Sequence, residues 1–290
     1  MIGGVRPGLR RFLANRGAVV GAILVVILVG FALVGPAFTK DPIASDIDHG
    51  LTSVGAPLGA SSDALLGTDQ LGRDVWARIV AGARASMSIA LLATGLALLI
   101  GSAVGLIAGY LGGRVDSVLM RFVDLVLSFP TLVLAILLAA LLRQSDLASA
   151  NAPVVLTLGS VSWTTMARVI RGKAMTIARS EYVAAARSLG ASDARMVVRH
   201  VVPNLVGVVI AVAALGFAQN LLAESVLSYV GLGPPPPAPT WGRMLYEGRI
   251  FYRTAPHLVL APGLAIVFAV VAFNLLGEGM RDAFDPKVRR

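Results

Sequence analysis

The sequence contains no cysteine, and its charged residues are few. Asp, Glu, Lys and Arg make up 14% of the 290 residues, whereas a soluble domain usually carries about 25%. Without cysteine, the chain can form no disulfide and offers no thiolate as a nucleophile or metal ligand. Its three histidines, His49, His200 and His257, lie far apart in sequence, and we therefore expect no metal site.

Motifs of common catalytic sites are also missing. The sequence has no His-Glu-x-x-His zinc motif and no Gly-x-Ser-x-Gly nucleophile elbow, so an intramembrane enzyme has no plausible set of catalytic residues. The nearest approach to a phosphate-binding loop is Gly172-Lys173-Ala174. It lacks the upstream glycine and the following Ser or Thr of that motif. We therefore expect no catalytic residue, cofactor or nucleotide site on this chain.

Long apolar segments dominate the composition. Hydrophobic residues make up 56% of the chain and the mean hydropathy is +0.79, which is typical of a polytopic membrane protein. Because a bilayer core needs about 20 apolar residues per helix, we predict an all-α protein with six transmembrane helices. We place them at about 18–34, 87–109, 116–142, 152–170, 203–227 and 258–277. The fourth is short and rich in Ser and Thr, and the first has the alternative of being a signal peptide.

The chain is basic, with a formal net charge of +9 and a pI near 10.8. Such a charge can indicate nucleic-acid binding, but that requires a basic patch on a soluble surface. Here the basic residues lie between apolar segments, as in the cytoplasmic loops of membrane proteins. We therefore predict no nucleic-acid partner and a multi-pass protein of the plasma (inner) membrane, in contact with the lipid bilayer, with both termini cytoplasmic.

The predicted spans divide the chain into four parts. Residues 1–37 hold a cytoplasmic tail and the first helix, and 38–85 form an extracytoplasmic loop that ends in an amphipathic helix. Residues 86–278 form the core membrane domain, and 279–290 are a cytoplasmic tail. In a second, proline-rich outer loop, Trp241 and Tyr246 are expected at the lipid headgroups.

Polar residues within the spans are candidates for function because they are costly in a bilayer. Asp124 is expected to pair with Arg121, one turn earlier. Gln219, Asn220 and Glu224 lie toward the outer end of the fifth span, with Asn220 and Glu224 on one face. They either line a translocation path or form hydrogen bonds between helices.

The outer stretch "GTDQLGRD" at residues 67–74 has turn residues and three charges. Calcium binding is conceivable, but a capped turn that starts a helix at Asp74 is the better interpretation. On that helix, Asp74 and Arg78 have the spacing of an ion pair.

A segment of about residues 171–203 interrupts the apolar pattern, and within it "EYVAAARSLGASDARMVVRHVVPN" begins at Glu181. The pattern predicts a short helix that ends at Gly190, because a left-handed residue often terminates a helix and glycine adopts it most easily. Ser192 can cap a second helix, and Pro203 suits the first turn of the fifth span. Such a bent pair of helices either docks onto another protein or lies on lipid headgroups through its arginines.

The residues "AAARSLGASDARMVVRHVVP" resemble the cytoplasmic coupling-loop motif of ABC-importer permeases, E-A-A-x3-G-x9-I-x-L-P. Aligned on Gly190 and Pro203, the spacing fits. Three positions depart from the motif, since Ala184 replaces Glu, His200 replaces Ile and Val202 replaces Leu. Glu181, one turn earlier, is a candidate to replace the missing Glu.

Four further blocks, which begin at residues 65, 112, 223 and 239, resemble the C-type permease subunit of dipeptide, oligopeptide and nickel importers. The resemblance implies a type I fold, with an N-terminal helix before a five-helix core. It also implies a second homologous permease, two ATPase subunits or one fused ATPase that bind ATP and Mg, and an extracytoplasmic substrate-binding protein. The residues it assigns to ATPase docking are Glu181, Tyr182, Ala184, Ala185, Ala186, Leu189, Gly190, Ala191, Ser192, Arg195 and Pro203.

The function expected from the resemblance is ATP-driven import of dipeptides or oligopeptides. Nickel or another small solute is the alternative cargo. A transporter driven by an ion gradient through Asp124 or Glu224 is a third hypothesis. The absence of a recognisable repeat between the two halves weighs against it.

Overall fold

A computed structural model describes residues 5–144 and 151–284 of the chain. In these ranges the protein consists of helices and loops, with two isolated β-bridges and no strand. The helices are α1 Val5–Ala14, α2 Arg16–Val34, α3 Ile47–Gly50, α4 Val75–Leu111, α5 Gly113–Leu127, α6 Thr131–Leu142, α7 Ala152–Ala178, α8 Glu181–Ser188, α9 Asp193–Met196, α10 Val202–Tyr229, α11 Trp241–Gly248 and α12 His257–Phe284. The all-α prediction is confirmed.

Within the described residues, four helical segments are long and apolar enough to cross a membrane. They are Arg16–Phe38, Val75–Leu111, Asp193–Tyr229 and His257–Ala283. The pair α5 and α6 adds a fifth if it is counted as one broken span. The fourth predicted span, 152–170, lies in α7, which does not meet the same criterion because hydroxyl and basic side chains interrupt its apolar residues.

Packing nevertheless places α7 at the same depth as α4. The two helices run parallel, from a buried cluster that includes both Ile89 and Val154 to a contact of Gly109 with Ala174. The twenty residues of α4 between these contacts rise roughly 30 Å at 1.5 Å per residue. This is about the thickness of the hydrocarbon core, roughly 30 Å, so a bilayer that surrounds α4 also surrounds α7.

A seam of glycines allows α4 and α7 to pack closely. Gly101, Gly105 and Gly109 follow one another at four-residue spacing along α4. A β-carbon at Gly101 would lie 2.8 Å from the Trp163 carbonyl oxygen, and one at Gly105 would lie 3.0 Å from the Arg171 backbone nitrogen. Small residues at helix interfaces in membranes permit this backbone contact, and the seam brings the weakly apolar α7 close against α4.

The third predicted span, 116–142, is not one helix. It is broken into α5 and α6, which meet at 83°. Pro130 stands at the break, and it lacks an N–H and disfavours helical backbone in Phe129 before it. Two ion pairs, Arg168–Asp124 and Arg171–Asp116, hold α5 against α7.

The amphipathic helix predicted at the end of residues 38–85 is not a separate element. It is the first part of α4, which continues without a break through residue 85 into the second predicted span. No proline occurs between Val75 and Leu111, and single glycines weaken a helix without ending it. Asp74 caps α4 as predicted, since its carboxylate accepts a hydrogen bond from the Ala77 N–H at 3.0 Å.

The fifth predicted span begins earlier than Pro203. Helix α9, a π turn at Val197–Val201 and α10 form one continuous segment, Asp193–Tyr229. The wider π turn precedes Pro203, whose ring would otherwise press on the carbonyl four residues before it. The proline therefore lies in the first turn of α10, as predicted, without ending the helix.

Candidate functional site

The segment Glu181–Val201 forms a short helix, a tight turn and a second helix at one end of the bundle. Helix α8 ends in a Schellman turn, in which the Ala191 N–H donates to the Ala186 carbonyl and the Gly190 N–H donates to that of Arg187. Gly190 has φ +83°, which favours glycine. The predicted glycine stop of α8 is therefore confirmed.

Buried apolar side chains hold this segment against α7 and α10. Val183, Met196 and Val201 are buried against Ile177 of α7 and Leu205 of α10. Ser192 caps α9 as predicted, because its hydroxyl accepts a hydrogen bond from the Arg195 N–H at 3.4 Å. The turn between α8 and α9 is thus fixed on its inner side by packing.

A polar contact also ties the segment to the end of α4. The Tyr110 hydroxyl donates to the Asp193 carboxylate at 2.5 Å. The Arg187 guanidinium donates to the Tyr110 oxygen at 3.2 Å and lies 3.4 Å from the same carboxylate. No local pattern marks Tyr110, which is separated from Asp193 by 83 residues, so sequence reasoning missed this contact.

Most of the outer face of α8 is uncovered among the described residues, although the Tyr182 ring lies 6.0 Å from that of His200. Tyr182, Ala185 and Leu189 share this face, and Leu189 is 89% exposed. Of the other predicted docking residues, Ala186 and Ala191 are half-buried and the rest are exposed: Glu181, Ala184, Gly190, Ser192, Arg195 and Pro203. The turn therefore presents a small apolar surface, rimmed by polar groups, at the end of the bundle.

The three residues proposed for a translocation path differ in their surroundings. Gln219 is exposed, whereas Asn220 and Glu224 are buried in this chain. Asn220 donates from Nδ2 to the Thr94 hydroxyl of α4 at 3.0 Å and accepts from the Ser162 hydroxyl of α7 at 2.5 Å. It therefore joins three helices, which is the interhelical role weighed against a path in the sequence.

Glu224 lies deeper, with 0% of its surface exposed. Its Oε1 accepts a hydrogen bond from the Ser228 hydroxyl at 2.7 Å, while its Oε2 is buried without a hydrogen-bond partner. The Thr240 hydroxyl lies 3.4 Å from that of Ser228. The carboxyl group thus lies among hydroxyls, at the junction of α10 with the loop that leads to α11.

At the other end of the bundle, buried charges join the start of α4 to α11. The Glu247 carboxylate accepts hydrogen bonds from Arg78 at 2.8 Å, from Arg73 at 3.1 Å and from Arg243 at 3.0 Å. Arg73 and Arg78 both contact Asp69 as well. We call Asp69, Arg73, Arg78, Arg243 and Glu247 the cap network.

Several predicted partners are wrong because tertiary contacts replace local ones. Arg78 pairs with Asp69 and Glu247 rather than with Asp74. In the same way, Asp124 pairs with Arg168 across to α7 rather than with Arg121.

Trp241 is also misplaced by the sequence argument. It does not face headgroups but is fully buried, and its indole N–H donates to the Ile79 carbonyl at 2.9 Å. The sequence around Trp241 is compatible with a position at the lipid headgroups and with a position in the protein core. The packing of α11 on α4 shows that the second is the case.

The outer loop also encloses a cavity of about 420 Å³ with an acidic lining that includes Asp41, Asp46 and Asp74. A hydrogen bond from the His49 backbone N–H lowers the pKa of Asp46 below its usual value. Within residues 5–144 and 151–284, no three side chains of the metal-binding types converge on one point.

Taken together, the helix bundle and its protruding turn define a polytopic membrane protein with an exposed helical site at one end. Residues 101–290 match a protein family described as "Binding-protein-dependent transport system inner membrane component". A second family, the N-terminal TM domain of oligopeptide transport permease C, matches residues 7–52. The chain belongs to the binding-protein-dependent inner membrane permeases.

Relatives extend the similarity to nearly the whole chain. The dipeptide transport system permease protein DppC of Alkalihalophilus pseudofirmus is 34% identical, over 98% of this chain and 90% of its own. The oligopeptide permease OppC of Escherichia coli K12 is 37% identical, over 97% and 90%. The glutathione permease GsiD of Pectobacterium atrosepticum is 35% identical, over 97% and 90%.

A solved structure has the same fold. The MetNI methionine ABC transporter, in an inward-facing conformation, aligns with a TM-score of 0.57 and 18% sequence identity. The alignment covers 71% of this chain and 95% of the other. At this identity the match concerns the fold alone.

Proposed function

We propose that this chain is a permease subunit of an ATP-driven importer of dipeptides or oligopeptides. With a second, homologous permease it forms the translocation path. Two ATPase subunits, or one fused ATPase, bind ATP and Mg²⁺ and drive transport, and an extracytoplasmic binding protein delivers the peptide. Peptide cargo is supported by the names of relatives that align with almost the full chain.

The exposed face of α8 carries the proposal of ATPase docking. Leu189 exposes 89% of its surface on a helix whose other side is fixed by Val183 and the Schellman turn at Gly190. An apolar side chain held out on a rigid, polar-rimmed turn is typical of a protein interface. Ala184 stands in place of the motif glutamate, and the exposed Glu181, one turn earlier, is the acidic residue available to replace it.

The proposed mechanism uses the continuity of Asp193–Tyr229. When ATP closes the ATPase pair, the turn moves and carries α10 with it, so that the path alternates between inward-open and outward-open states. We place both termini and α8 in the cytoplasm of a cell with this chain in its plasma (inner) membrane. The excess of basic residues in the same segments supports this orientation.

The test compares two matched apolar-to-charged changes at exposed residues in the reconstituted transporter. Leu189→Asp places a charge on the docking face, and Val54→Asp, at a residue 86% exposed in the outer loop, is its matched control. We expect the binding protein and peptide to stimulate ATP hydrolysis in the wild type and in Val54→Asp. We expect this stimulation to be lost in Leu189→Asp. Equal stimulation in all three would contradict docking at α8.

Cargo is tested in the same preparation with a dipeptide, a tripeptide pool, glutathione and a Ni²⁺ chelate. Stimulation and uptake with peptides support the proposal. If only the nickel chelate or another solute is taken up, the transporter assignment stands and the peptide cargo is wrong. If uptake needs an ion gradient and no ATPase subunit, the proposal as a whole is wrong.

A further inference from the structure

A groove of about 560 Å³ lies between α7 and α10, at the end of the bundle where α7 leads into α8. Its volume is within the range of small-molecule sites, roughly 300–1,000 Å³. Arg281, on the last turns of α12, forms one edge. The groove is separate from the cluster that holds α8 and from the buried Asn220 and Glu224.

The two walls of the groove differ in chemistry. On α7, Arg168, Gly172 and Thr176 follow one another at four-residue spacing, and Val169 is the apolar member of this mostly polar wall. On α10 the facing wall is apolar at helical spacing: Val208, Ala211, Val212 and Leu215. Hydrophilic residues within membrane segments usually face a protein interior or a water-filled cavity, so this wall is unsuited to lipid chains.

The groove is cationic. Arg168, Lys173 and Arg281 line it and no carboxylate does. Arg168 is partly neutralised by its ion pair with Asp124. Within the described part of the chain, Lys173 and Arg281 have no ion pair, so two positive charges face the groove unopposed.

We propose that this groove receives the C-terminal carboxylate of the transported peptide, with Lys173 and Arg281 as its cationic contacts. The inference rests on the proposed function. A carboxylate complements the two free cations, while the apolar α10 wall contacts peptide side chains of any kind without hydrogen bonds that would select among them. The groove thus recognises the one group that peptides of every sequence share.

The test measures uptake of one tripeptide in two forms, with a free carboxylate and with a C-terminal amide, by the complete reconstituted transporter. For each form the uptake by the double variant Lys173→Gln and Arg281→Gln is divided by wild-type uptake, so that the preference of the binding protein cancels. We expect the ratio to fall about tenfold for the free acid, as for loss of a charge-assisted hydrogen bond, and to stay near one for the amide. Arg114→Gln, an exposed cation on α5 outside the groove, is the matched control.

A second variant tests the space itself. A β-carbon at Gly172 meets no atom within 4 Å, so a side chain can start there. We expect Gly172→Leu to narrow the groove and to slow uptake of both peptides. Gly95→Leu, on an open face of α4, has equal room and serves as control. Unchanged uptake by Gly172→Leu would remove the groove from the path.

The remaining outcomes separate this inference from the proposed function. If the wild type takes up both peptides and the double variant lowers both equally, the cations act on coupling, on lipid or on the partner permease, and the inference fails while peptide transport stands. If the double variant lowers neither, the inference fails in the same way. If the wild type takes up neither peptide, peptide is not the cargo, and the proposal that a peptide carboxylate occupies the groove is wrong as well.

Discussion

At one end of the bundle the cap network surrounds Glu247 with three arginines, whereas at the other end α8 holds Leu189 with 89% of its surface exposed. The cap end pairs its charged groups within the chain, although Arg78, only 2% exposed, has no partner for its Nε among the described residues. At the α8 end, the Asp193 and Arg187 side chains that tie the turn to Tyr110 are mostly exposed. The cap is closed by its own residues, and the turn leaves an apolar face open to a second molecule.

This difference bears on how each end responds to change. Removing one partner of a buried ion pair strongly destabilises the protein, because the other charge is then left without compensation. Exposed ion pairs contribute little to stability, typically about 0–1 kcal/mol. We therefore expect cap substitutions to act on folding, and substitutions in the turn to act on coupling.

The largest effect is expected from Glu247→Ala. It leaves Arg73 and Arg78 with one carboxylate, Asp69, removes the ion pair that Arg243 makes within the described residues, and should destabilise the protein by about 3 kcal/mol. Thermal unfolding of the purified protein in detergent measures the loss. Glu278→Ala removes an equal charge from an exposed site on α12 and should leave the unfolding temperature unchanged. Equal unfolding temperatures for the two variants would show that the ion pairs of the cap network do not stabilise the fold.

An intermediate effect is expected from Gly190→Ala. The φ of +83° at this position places a side chain in the left-handed region, at a cost of roughly 1–2 kcal/mol. Because α8 is short, the strain should be local, with faster hydrogen exchange at residues 185–191 and an unchanged global unfolding temperature. Gly95→Ala, in an ordinary helix, should slow local exchange. If Gly190→Ala unfolds the whole protein, the turn is as integral to the fold as the cap.

The smallest effect is expected from Tyr110→Phe, which removes the hydroxyl between Asp193 and Arg187. These partners are exposed, so the loss should stay below about 1 kcal/mol. Hydrogen exchange at the first turn of α9 measures it, with Tyr182→Phe as a control on the open face of α8. A drop in global stability with Tyr110→Phe would show that the turn, like the cap network, contributes to the stability of the whole protein.

Sequence reasoning predicted what local chemistry determines. Gly190 ends α8, Ser192 caps α9, Asp74 caps α4 and Pro203 opens α10, because each depends on the backbone of a few neighbouring residues. The family was recognised separately, by the resemblance of the coupling loop and four further blocks to known permeases. Apolar length placed the four segments that are unmistakably long enough to span a membrane.

Contacts between distant elements were beyond the same reasoning. Arg78 had an acidic neighbour at helical spacing in Asp74, yet it pairs with Glu247, 169 residues away. Buried arginines take the partners that packing brings near them, and that packing is a property of the whole bundle. The bend at Pro130 could have been predicted from the proline itself. It was missed because the residues on both sides are apolar and were counted as one span.

The glycine seam on α4 has a consequence for biogenesis. Helix α7 is too polar to enter a bilayer readily on its own, and it is synthesised after α4, α5 and α6. The seam at Gly101, Gly105 and Gly109 is therefore available when α7 emerges, and it offers a surface that fits the α7 backbone. The order of the helices in the chain thus lets an earlier, strongly apolar helix serve as the template on which a marginal one is inserted.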